Sequence, residues 1–258
     1  MGSVRASFFT LCLALTSATS TLAQTPAKGL LRVLVSESSA MPCAQFERSG
    51  NKNTLQGGLE KDWADALARQ MGRKPDFIPI PAKRLLALAA RGGFDLQCFQ
   101  SPDWYDPSSK AVYEWFPEAL LTIEERLVGL PTADAVQGPD DLKGKRVGVV
   151  LGYRYAALDA LFATHAIVRE EAPNEVSLLQ KQLKGRADYS VVKSINLAYA
   201  RKRDTAYAVL LESPWVVSRT KLYCLRVMAS PISLAEMTKA HHALVAQGVL
   251  NQLLARYR

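Results

Sequence analysis

Residue patterns that hold metals or activate nucleophiles are absent from this sequence. Its 4 cysteines form no C-x-x-C pair, and its 3 histidines are far from the cysteines along the chain. A zinc site is therefore not expected, and neither is any other metal or cofactor. The residue order of a Ser-His-Asp triad and the glycine loop that binds phosphates are also missing, which argues against catalysis.

Basic runs interleaved with aromatic residues are absent too. The 32 Lys and Arg outnumber the 24 Asp and Glu, so the net charge is +8. The excess is spread over predicted helix ends and polar faces, which indicates a solvated surface rather than a nucleic-acid partner. A mild attraction to acidic partners or to anionic lipid stays open.

Long apolar runs are absent after the first residues. Arg5, the apolar residues 8–15 and the small residues up to Ala23 are typical of a secretory signal peptide, residues 1–23. A membrane anchor is the alternative, but the apolar core is too short to span a bilayer. We therefore expect an exported, periplasmic protein, and a monomer.

Three cysteines remain after such a cleavage, and an oxidising compartment favours their pairing. Cys43 follows the first predicted strand and Cys98 ends a central strand, so both are expected at the same sheet edge. We predict a Cys43–Cys98 disulfide. Cys224 lies in the apolar run 222–227 and is predicted to be a buried free thiol.

Strand and helix patterns alternate in two successive series. The first has strands at 31–36, 77–80 and 94–99, helices at 59–71 and around 85–89, and a polar loop at 37–58. The second, after extended segments at 120–123 and 127–130, has strands at 146–151, 166–169 and 189–192 and helices at 156–162, 176–183 and 196–201. Strands at 207–211 and 221–227 and helices over 234–257 follow. The order predicts two α/β lobes with parallel sheets covered by helices.

The central strand at 94–99 leads into the best candidate site. Trp104 and Tyr105 follow it closely, and ligands of open α/β sheets bind beyond the carboxyl ends of the strands. Both rings offer flat apolar area with a polar tip, suited to stacking on a ligand. Packing of the rings under their own loop is the alternative.

Five short motifs occur in order along nearly all of the exported chain. They are Gly-Leu-Glu-Lys-Asp at 58–62, Arg-Leu-Leu at 84–86 with Gly-Gly-Phe-Asp at 92–95, Asp-Leu-Lys-Gly-Lys-Arg-Val-Gly-Val at 141–149, Gly-Arg-Ala-Asp at 185–188, and Gly-Val-Leu at 248–250. Together they resemble the motifs of family 3 of the periplasmic solute-binding proteins, the amino-acid-binding type found with ABC transporters.

The resemblance implies a type II periplasmic-binding-protein fold, with two α/β lobes joined by hinge strands. Residues 24–122 and 220–258 are expected to form the first lobe, and residues 123–219 the second. The lobes of such proteins close on a small ligand held between them. The implied partner is a membrane transporter permease, or else a sensor or a periplasmic redox enzyme that the chain serves as an accessory module.

The chain differs from the family at both positions that bind the charged groups of an amino-acid ligand. Where the family places an arginine for the ligand's carboxylate, residues 105–107 are Tyr-Asp-Pro, and the next cation is Lys110. Where the family places an acid for the ligand's ammonium, this chain has Lys193. Two cations a few ångströms apart repel each other, so a standard α-amino acid is not expected as the ligand.

The remaining polar groups favour a ligand with a carboxylate or another acceptor-rich group. The loop 152–155 leads into a helix whose N-terminus favours an anion, and Arg154 adds charge from the same lobe, with solvated surface as the alternative. Glu37 is expected to bind a cationic group or to pair with Lys193. The predicted ligand-binding residues are Glu37, Ser38, Ser101, Trp104, Tyr105, Tyr153, Arg154 and Lys193.

An enzyme on this fold is the weaker alternative. Some proteins of this fold are dehydratases that use a carboxyl group in the cleft as acid or base. The groups available for that role in this chain are Glu37, Asp103 and Asp106. Since no catalytic motif supports turnover, we predict binding without catalysis.

Overall fold

The computed structural model describes residues 29–50, 52–81, 84–105 and 111–257. The predicted signal peptide, residues 1–23, lies outside the described residues, as do Asp106 and Lys110. Within the described residues, no helix has the length and apolar character needed to cross a bilayer.

The first part of the chain forms the predicted β-α-β-α-β series and a hairpin. Its elements are β1 (Leu30–Ser36), β2 (Gln45–Ser49), β3 (Lys52–Gly57), α1 (Leu59–Gln70), β4 (Lys74–Ile80), α2 (Leu85–Ala90), β5 (Leu96–Gln100) and β6 (Tyr113–Trp115). The order predicted for 31–99 is confirmed, and β4 is an edge strand, as its prolines indicate.

The second part of the chain repeats the alternation of strands and helices and then returns to the first part. Its elements are β7 (Leu121–Gly129), β8 (Arg146–Val150), α3 (Asp159–Ala163), β9 (Val168–Ala172), α4 (Glu175–Leu183), β10 (Tyr189–Lys193), α5 (Ser194–Arg203), β11 (Leu211–Val227), α6 (Leu234–Ala246) and α7 (Val249–Tyr257). Gly248 separates the last two helices, as the sequence predicts.

Two groups of parallel strands flank a central antiparallel pair in the main sheet. The strand order is β4-β1-β5-β11-β7-β10-β8-β9. β1 is parallel to β4 and β5, and β8 is parallel to β9 and β10. The long strands β7 and β11 pair with each other and with β10 and β5 respectively, so they connect the two parallel groups.

Each parallel group has its own hydrophobic core, which gives the molecule two lobes. The first lobe comprises β1–β6, α1, α2, α6 and α7, and its core includes Trp63, Leu67 and Phe116. The second lobe comprises β8–β10 and α3–α5, and its core includes Val147 and Tyr189. Both cores extend onto β7 and β11, because those strands are shared.

The same anchor holds the first strand of each lobe. In the first lobe, the backbone N–H of Arg32 donates to Asp95 Oδ2 over 2.9 Å, and its guanidinium lies 2.7 Å from Oδ1. In the second lobe, Arg146 makes the equivalent contacts with Asp188, over 2.7 and 3.0 Å. The two lobes therefore have like architecture, as the alternation of strands and helices predicts.

Three predicted segments are wrong in detail. The polar loop at 37–58 contains the hairpin β2–β3, whose mostly exposed residues leave no hydrophobic alternation to detect. The two extended segments predicted at 120–123 and 127–130 form one continuous strand, β7, which runs over residues 121–129 and includes the charged residues 124–126 between them. The strand predicted at 207–211 is a 3₁₀ turn, Thr205–Val209, and β11 begins only at Leu211.

The predicted Cys43–Cys98 disulfide is also wrong. Cys98 is bonded to Cys224, and Cys43 is buried and free among the cysteines that the structure describes. The reason lies in the strand order: β5 and β11 are hydrogen-bonded neighbours, and Cys224 lies at a register shift of β11 opposite β5. Cys43 lies on the loop between β1 and β2, where it faces the space between the lobes.

Candidate functional site

A cavity of about 220 Å³ lies between the two lobes. It opens beyond the carboxyl ends of β5, β8 and β10, where α/β sheets bind ligands. Five of the predicted binding residues line it, two from the first lobe and three from the second: Trp104, Tyr105, Tyr153, Arg154 and Lys193. The structure thus brings together the aromatic and charged residues that the sequence singled out.

Three predicted binding residues lie in the structure around the cavity and not in its lining. The N–H of Glu37 donates to the carbonyl of Ile80 over 2.9 Å, continuing the backbone pairing of β1. Ser38 contacts the second lobe, where its hydroxyl donates to the carbonyl of Pro173 over 3.3 Å. Ser101 caps a 3₁₀ turn, accepting the N–H of Asp103 over 3.3 Å. Ser36 and Ser39, beside the first two, line the cavity.

Lys193 pairs with Glu175 rather than with Glu37. Its ammonium lies 2.6 Å from Glu175 Oε1, and both side chains are about one-tenth exposed. The other oxygen of Glu175 accepts the N–H of Ala40 over 2.9 Å and the amide of Asn196 over 2.8 Å. The sequence missed Glu175 because it lies 18 residues before its partner, at the start of α4.

Aromatic rings from both lobes surround the Lys193 ammonium. Its Nζ lies 5.3 Å from the ring centroid of Trp104 and 5.2 Å from that of Tyr153. Cations are attracted to ring faces at such distances. Trp104 belongs to the first lobe and Tyr153 to the second, so this cation helps to hold the two sides of the cavity together.

Gly58 brings Glu60 to the cavity wall. Its φ is +109°, and a Cβ at this position would lie 2.4 Å from the carbonyl oxygen of Cys43, which excludes larger residues. That carbonyl accepts the N–H of Glu60 over 2.9 Å, so this backbone donor in the first turn of α1 has a hydrogen-bond partner. The Glu60 carboxyl is buried and accepts the hydroxyl of Ser39 over 3.1 Å.

Two carboxyl groups in the cavity wall have raised pKa values. Burial raises the pKa of Glu60 to about 8, and the negative charge of Glu175 adds to the rise, while Lys193 opposes it. Burial also raises the pKa of Glu125, whose carboxyl accepts the hydroxyl of Ser218 over 2.8 Å. Sequence reasoning missed both residues. Alternation along a continuous β7 would have predicted that Glu124 and Glu125 face opposite ways.

Gln97 and Tyr105 line the cavity on the side of the first lobe. The Tyr105 hydroxyl lies 3.3 Å from Gln97 Oε1 and 3.0 Å from Gln100 Oε1. Its ring also packs edge-on against Tyr113 and Trp115, so Tyr105 both lines the cavity and packs under its loop. Gln97 Nε2 is buried and has no hydrogen-bond partner among the described residues.

Arg154 lies at the mouth of the cavity and already has partners. Its Nε lies 3.1 Å from Asp159 Oδ2, and its guanidinium donates to the carbonyl of Tyr105 over 3.3 Å. The helix expected after the loop 152–155 begins as a 3₁₀ turn, and α3 has only 5 residues. The contact with Tyr105 is a further link between the lobes.

No protein-family model matches the chain, and no curated protein sequence matches it significantly. Solved structures do. An ancestral arginine-binding protein bound to arginine is 21% identical, with a TM-score of 0.71 over 90% of this chain and 99% of that one. An amino acid ABC transporter substrate-binding protein from Streptococcus pneumoniae, bound to L-arginine, is 18% identical, with a TM-score of 0.72 over 89% and 94%.

A histidine kinase sensor domain with similarity to periplasmic binding proteins is also similar. It is 16% identical, with a TM-score of 0.70 over 88% of this chain and 95% of that one. Likeness at such low identity concerns the fold and not the ligand. The two lobes, the two shared strands and these neighbours agree, and the chain has the two-lobed α/β fold of the periplasmic binding proteins.

Proposed function

We propose that this chain is an exported solute-binding protein of the amino-acid-binding type, family 3, and works in the periplasm as a monomer. It captures a small organic ligand between its lobes and delivers it to the permease of an ABC transporter. The observation that carries the proposal is the convergence of Trp104 from one lobe with Tyr153 and Lys193 from the other on a single cavity. The arginine-binding and transporter-associated neighbours support it.

The proposed ligand carries at least one carboxylate or other acceptor-rich group and a flat or aliphatic body. The rings of Trp104, Tyr105 and Tyr153 offer stacking area. Gln97 offers a buried donor with no partner in the described part of the chain. Lys193 is paired with Glu175, so it contributes to the site as half of a neutral pair and not as a free cation.

Hinge closure is proposed to occur about β7 and β11. We place the lobe boundaries at residues 24–122, 123–219 and 220–258. Thr122 lies opposite Lys221 in the ladder, and Ile123 lies opposite Thr220, so the two boundaries lie within one residue of each other along the crossing strands. Rotation at that level would move the lobes while leaving each core intact. Addition of ligand is expected to reduce the radius of gyration measured by small-angle X-ray scattering.

Native mass spectrometry of the protein purified from its own periplasm tests the capture of a solute. We expect a bound small molecule that is released by denaturation and rebinds in calorimetric titration. Tight binding of ordinary L-amino acids together with no binding of carboxylates would exclude the proposed ligand class. Absence of both a co-purified molecule and any solute affinity would exclude the function.

A sensor or accessory role is the second candidate, because one neighbour of the same fold is a histidine kinase sensor domain. It predicts co-purification with a membrane sensor or a periplasmic dehydrogenase and no affinity for free solutes. Turnover is not part of either proposal. Incubation with prephenate-like acids is expected to leave them unchanged, and their dehydration would instead indicate an enzyme.

A further inference from the structure

We propose that Glu60 and Gln97 form a subsite for an acceptor group of the ligand, in which Glu60 acts as a neutral acid and donates a hydrogen bond. The inference rests on the proposed function, because it assigns a role to two walls of the same cavity. It makes Glu60 a specificity-determining residue and couples capture of the ligand to protonation of the protein.

The buried charges around the cavity are unequal in number. Three carboxyl groups, those of Glu60, Glu125 and Glu175, are buried near one ammonium, that of Lys193. Glu175 holds that ammonium at 2.6 Å, whereas the oxygens of Glu60 and Glu125 accept hydroxyl groups. Like charges in a space of low dielectric repel strongly. A ligand carboxylate therefore fits this cavity only when some of these acids are neutral.

Several ionisable groups act on the Glu60 carboxyl. Lys193 favours the carboxylate form, while the negative charge of Glu175 and burial favour the neutral acid. The thiol of Cys43 and the phenols of Tyr105 and Tyr153 also interact with Glu60. Burial raises the pKa of all three groups, so they are neutral near pH 7 and add no charge beside Glu60.

The outcome of these opposing effects is a neutral Glu60 at physiological pH. The pKa of its carboxyl is raised to about 8, above the pH of most compartments. A neutral carboxyl has one O–H to donate and still accepts the Ser39 hydroxyl through Oε1. Its donor is available to a ligand oxygen.

Gln97 provides a second donor beside Glu60, independently of any charge. Gln97 lies on β5, is fully buried and lines the same cavity. Its Oε1 lies near the Tyr105 hydroxyl, but its Nε2 has no acceptor among the residues that the structure describes. Buried donors are almost always satisfied, and an unmade hydrogen bond is unfavourable. A ligand oxygen within reach of Gln97 and Glu60 would satisfy both.

Linkage gives the expected pH dependence. If the ligand binds the protonated form of Glu60, affinity is full below the pKa of about 8 and falls tenfold for each pH unit well above it. Between pH 7 and pH 9 the dissociation constant is then expected to rise about tenfold. Binding should take up a proton in the upper part of this range, which calorimetry in buffers of different ionisation enthalpy measures.

The test uses benzoate, phenylacetate, succinate and glutarate as probes, with benzamide and phenylacetamide as neutral counterparts. Titrations from pH 6.5 to 9 follow tryptophan fluorescence and heat. Glu60→Gln keeps a donor but cannot ionise, so we expect affinity within about threefold of the wild type at pH 6.5 and a flat profile. Glu47→Gln, an exposed change on the hairpin, is the matched control and should keep the wild-type profile.

Gln97→Met removes the donor at similar volume and should weaken binding of the acids about five- to tenfold while leaving the pH dependence intact. Because buried variants can misfold, ¹³C NMR of glutamate-labelled protein reports Glu60 directly. Its carboxyl resonance should titrate near pH 8 and vanish in the E60Q variant. A Glu60 that titrates below pH 6 overturns the inference whatever binds.

The ligand titrations separate this inference from the function on which it rests. Equal binding of acids and amides, without pH dependence, would overturn the subsite while leaving solute capture in place. An E60Q profile as steep as that of the wild type would do the same. Failure of every acid to bind at pH 6.5 would exclude the carboxylate ligand and the subsite together.

Discussion

The ammonium of Lys193 lies 2.6 Å from the carboxylate of Glu175, and the pair connects the two lobes. Both residues belong to the second lobe, but Glu175 Oε2 accepts the N–H of Ala40 from the first. Asn196, which donates to the same carboxylate, also donates to the carbonyl of Ala40. The pair therefore neutralises a buried charge and positions the loop that follows β1.

Removal of either partner from this pair is expected to be costly. Lys193→Met or Glu175→Gln should each lower the free energy of unfolding by about 3–5 kcal/mol, because each leaves a buried group without its counter-charge. The double variant should lose clearly less than the sum, as measured by urea denaturation. Lys181→Met breaks the more exposed Lys181–Glu170 pair and, as the control, should cost about 1 kcal/mol or less. Strict additivity of the two single changes would show that the pair is not coupled.

The two aspartates that anchor β1 and β8 should differ in their contribution to stability. Asp95 is 2% exposed and accepts bonds from Arg32 and Ser230, whereas Asp188 is 35% exposed. We expect Asp95→Asn to cost about 2–3 kcal/mol and Asp188→Asn about 1 kcal/mol or less, measured by urea denaturation at pH 7. Equal costs would contradict the role of burial.

Protonation of Asp95 is expected to account for part of the loss of folding stability in acid. Despite the burial of Asp95, hydrogen bonds from Arg32 lower the pKa of its carboxyl below the ordinary value of 3.8. The contribution of the Asp95 carboxylate to the free energy of unfolding is therefore complete above pH 3.8 and is lost as the pH falls through the lowered pKa. The D95N variant should show a shallower loss of stability below pH 3.8. A wild-type slope in that variant would show that other groups govern this range.

The buried ring of His241 is expected to cause a second loss of stability in acid, at a higher pH than that of Asp95. The ring is buried between Trp63 and Phe116, and neither nitrogen has a partner in the described part of the chain. Burial lowers the pKa of His241 to about 4. The unfolded chain binds a proton below pH 6.5 and the folded one does not, so stability should fall by about 3 kcal/mol between pH 6.5 and 4.

The variant His241→Leu should remove this loss and leave the protein as stable as the wild type, or more stable, at pH 7. His242→Leu changes the neighbouring half-exposed ring, which lies 3.0 Å from Glu118, and should keep the wild-type pH profile. Thermal unfolding at pH 4.5, 5.5 and 7 distinguishes the two variants. A profile for H241L that matches that of H242L would contradict the role of the buried ring.

Peptide mapping without reduction should recover Cys98 joined to Cys224. The double variant Cys98→Ser with Cys224→Ser opens a cross-link between residues 126 positions apart and should lower the free energy of unfolding by about 2–5 kcal/mol. Cys43→Ala, the control, breaks no disulfide and deletes only one buried atom, so it should cost clearly less than the double variant. A peptide that contains Cys43 joined to Cys98 would contradict the pairing.

Local patterns were sufficient to predict the alternating elements. Leu59, Trp63 and Leu67 recur at helical spacing, and they are buried in the core of the first lobe as α1 requires. The hairpin β2–β3 was missed because its residues are largely exposed, so that backbone pairing rather than hydrophobic burial defines it. β7 was predicted as two extended segments because the charged residues 124–126 interrupt its apolar pattern.

Trp104 and Tyr153 were predicted at the site because they follow strands whose ends must meet in an α/β sheet. Lys193 was predicted there from the resemblance to family 3, since it occupies the position of that family's ligand-binding acid. Glu60 and Glu125 were not, because their role depends on burial, and burial depends on the approach of the other lobe. Glu175 was missed for the same reason, since its partners are Ala40 and Lys193 on other elements.

The sequence by itself determined the two α/β series, the parallel strands and the aromatic and basic residues at their ends, because these follow from periodicity and from chain order. Only the tertiary structure decided which cysteines pair, which acid neutralises Lys193 and which carboxyl groups are buried in the cavity. Those outcomes depend on distances between segments far apart in the chain. Local composition carries no information about such distances, whereas the packing of the two lobes sets them.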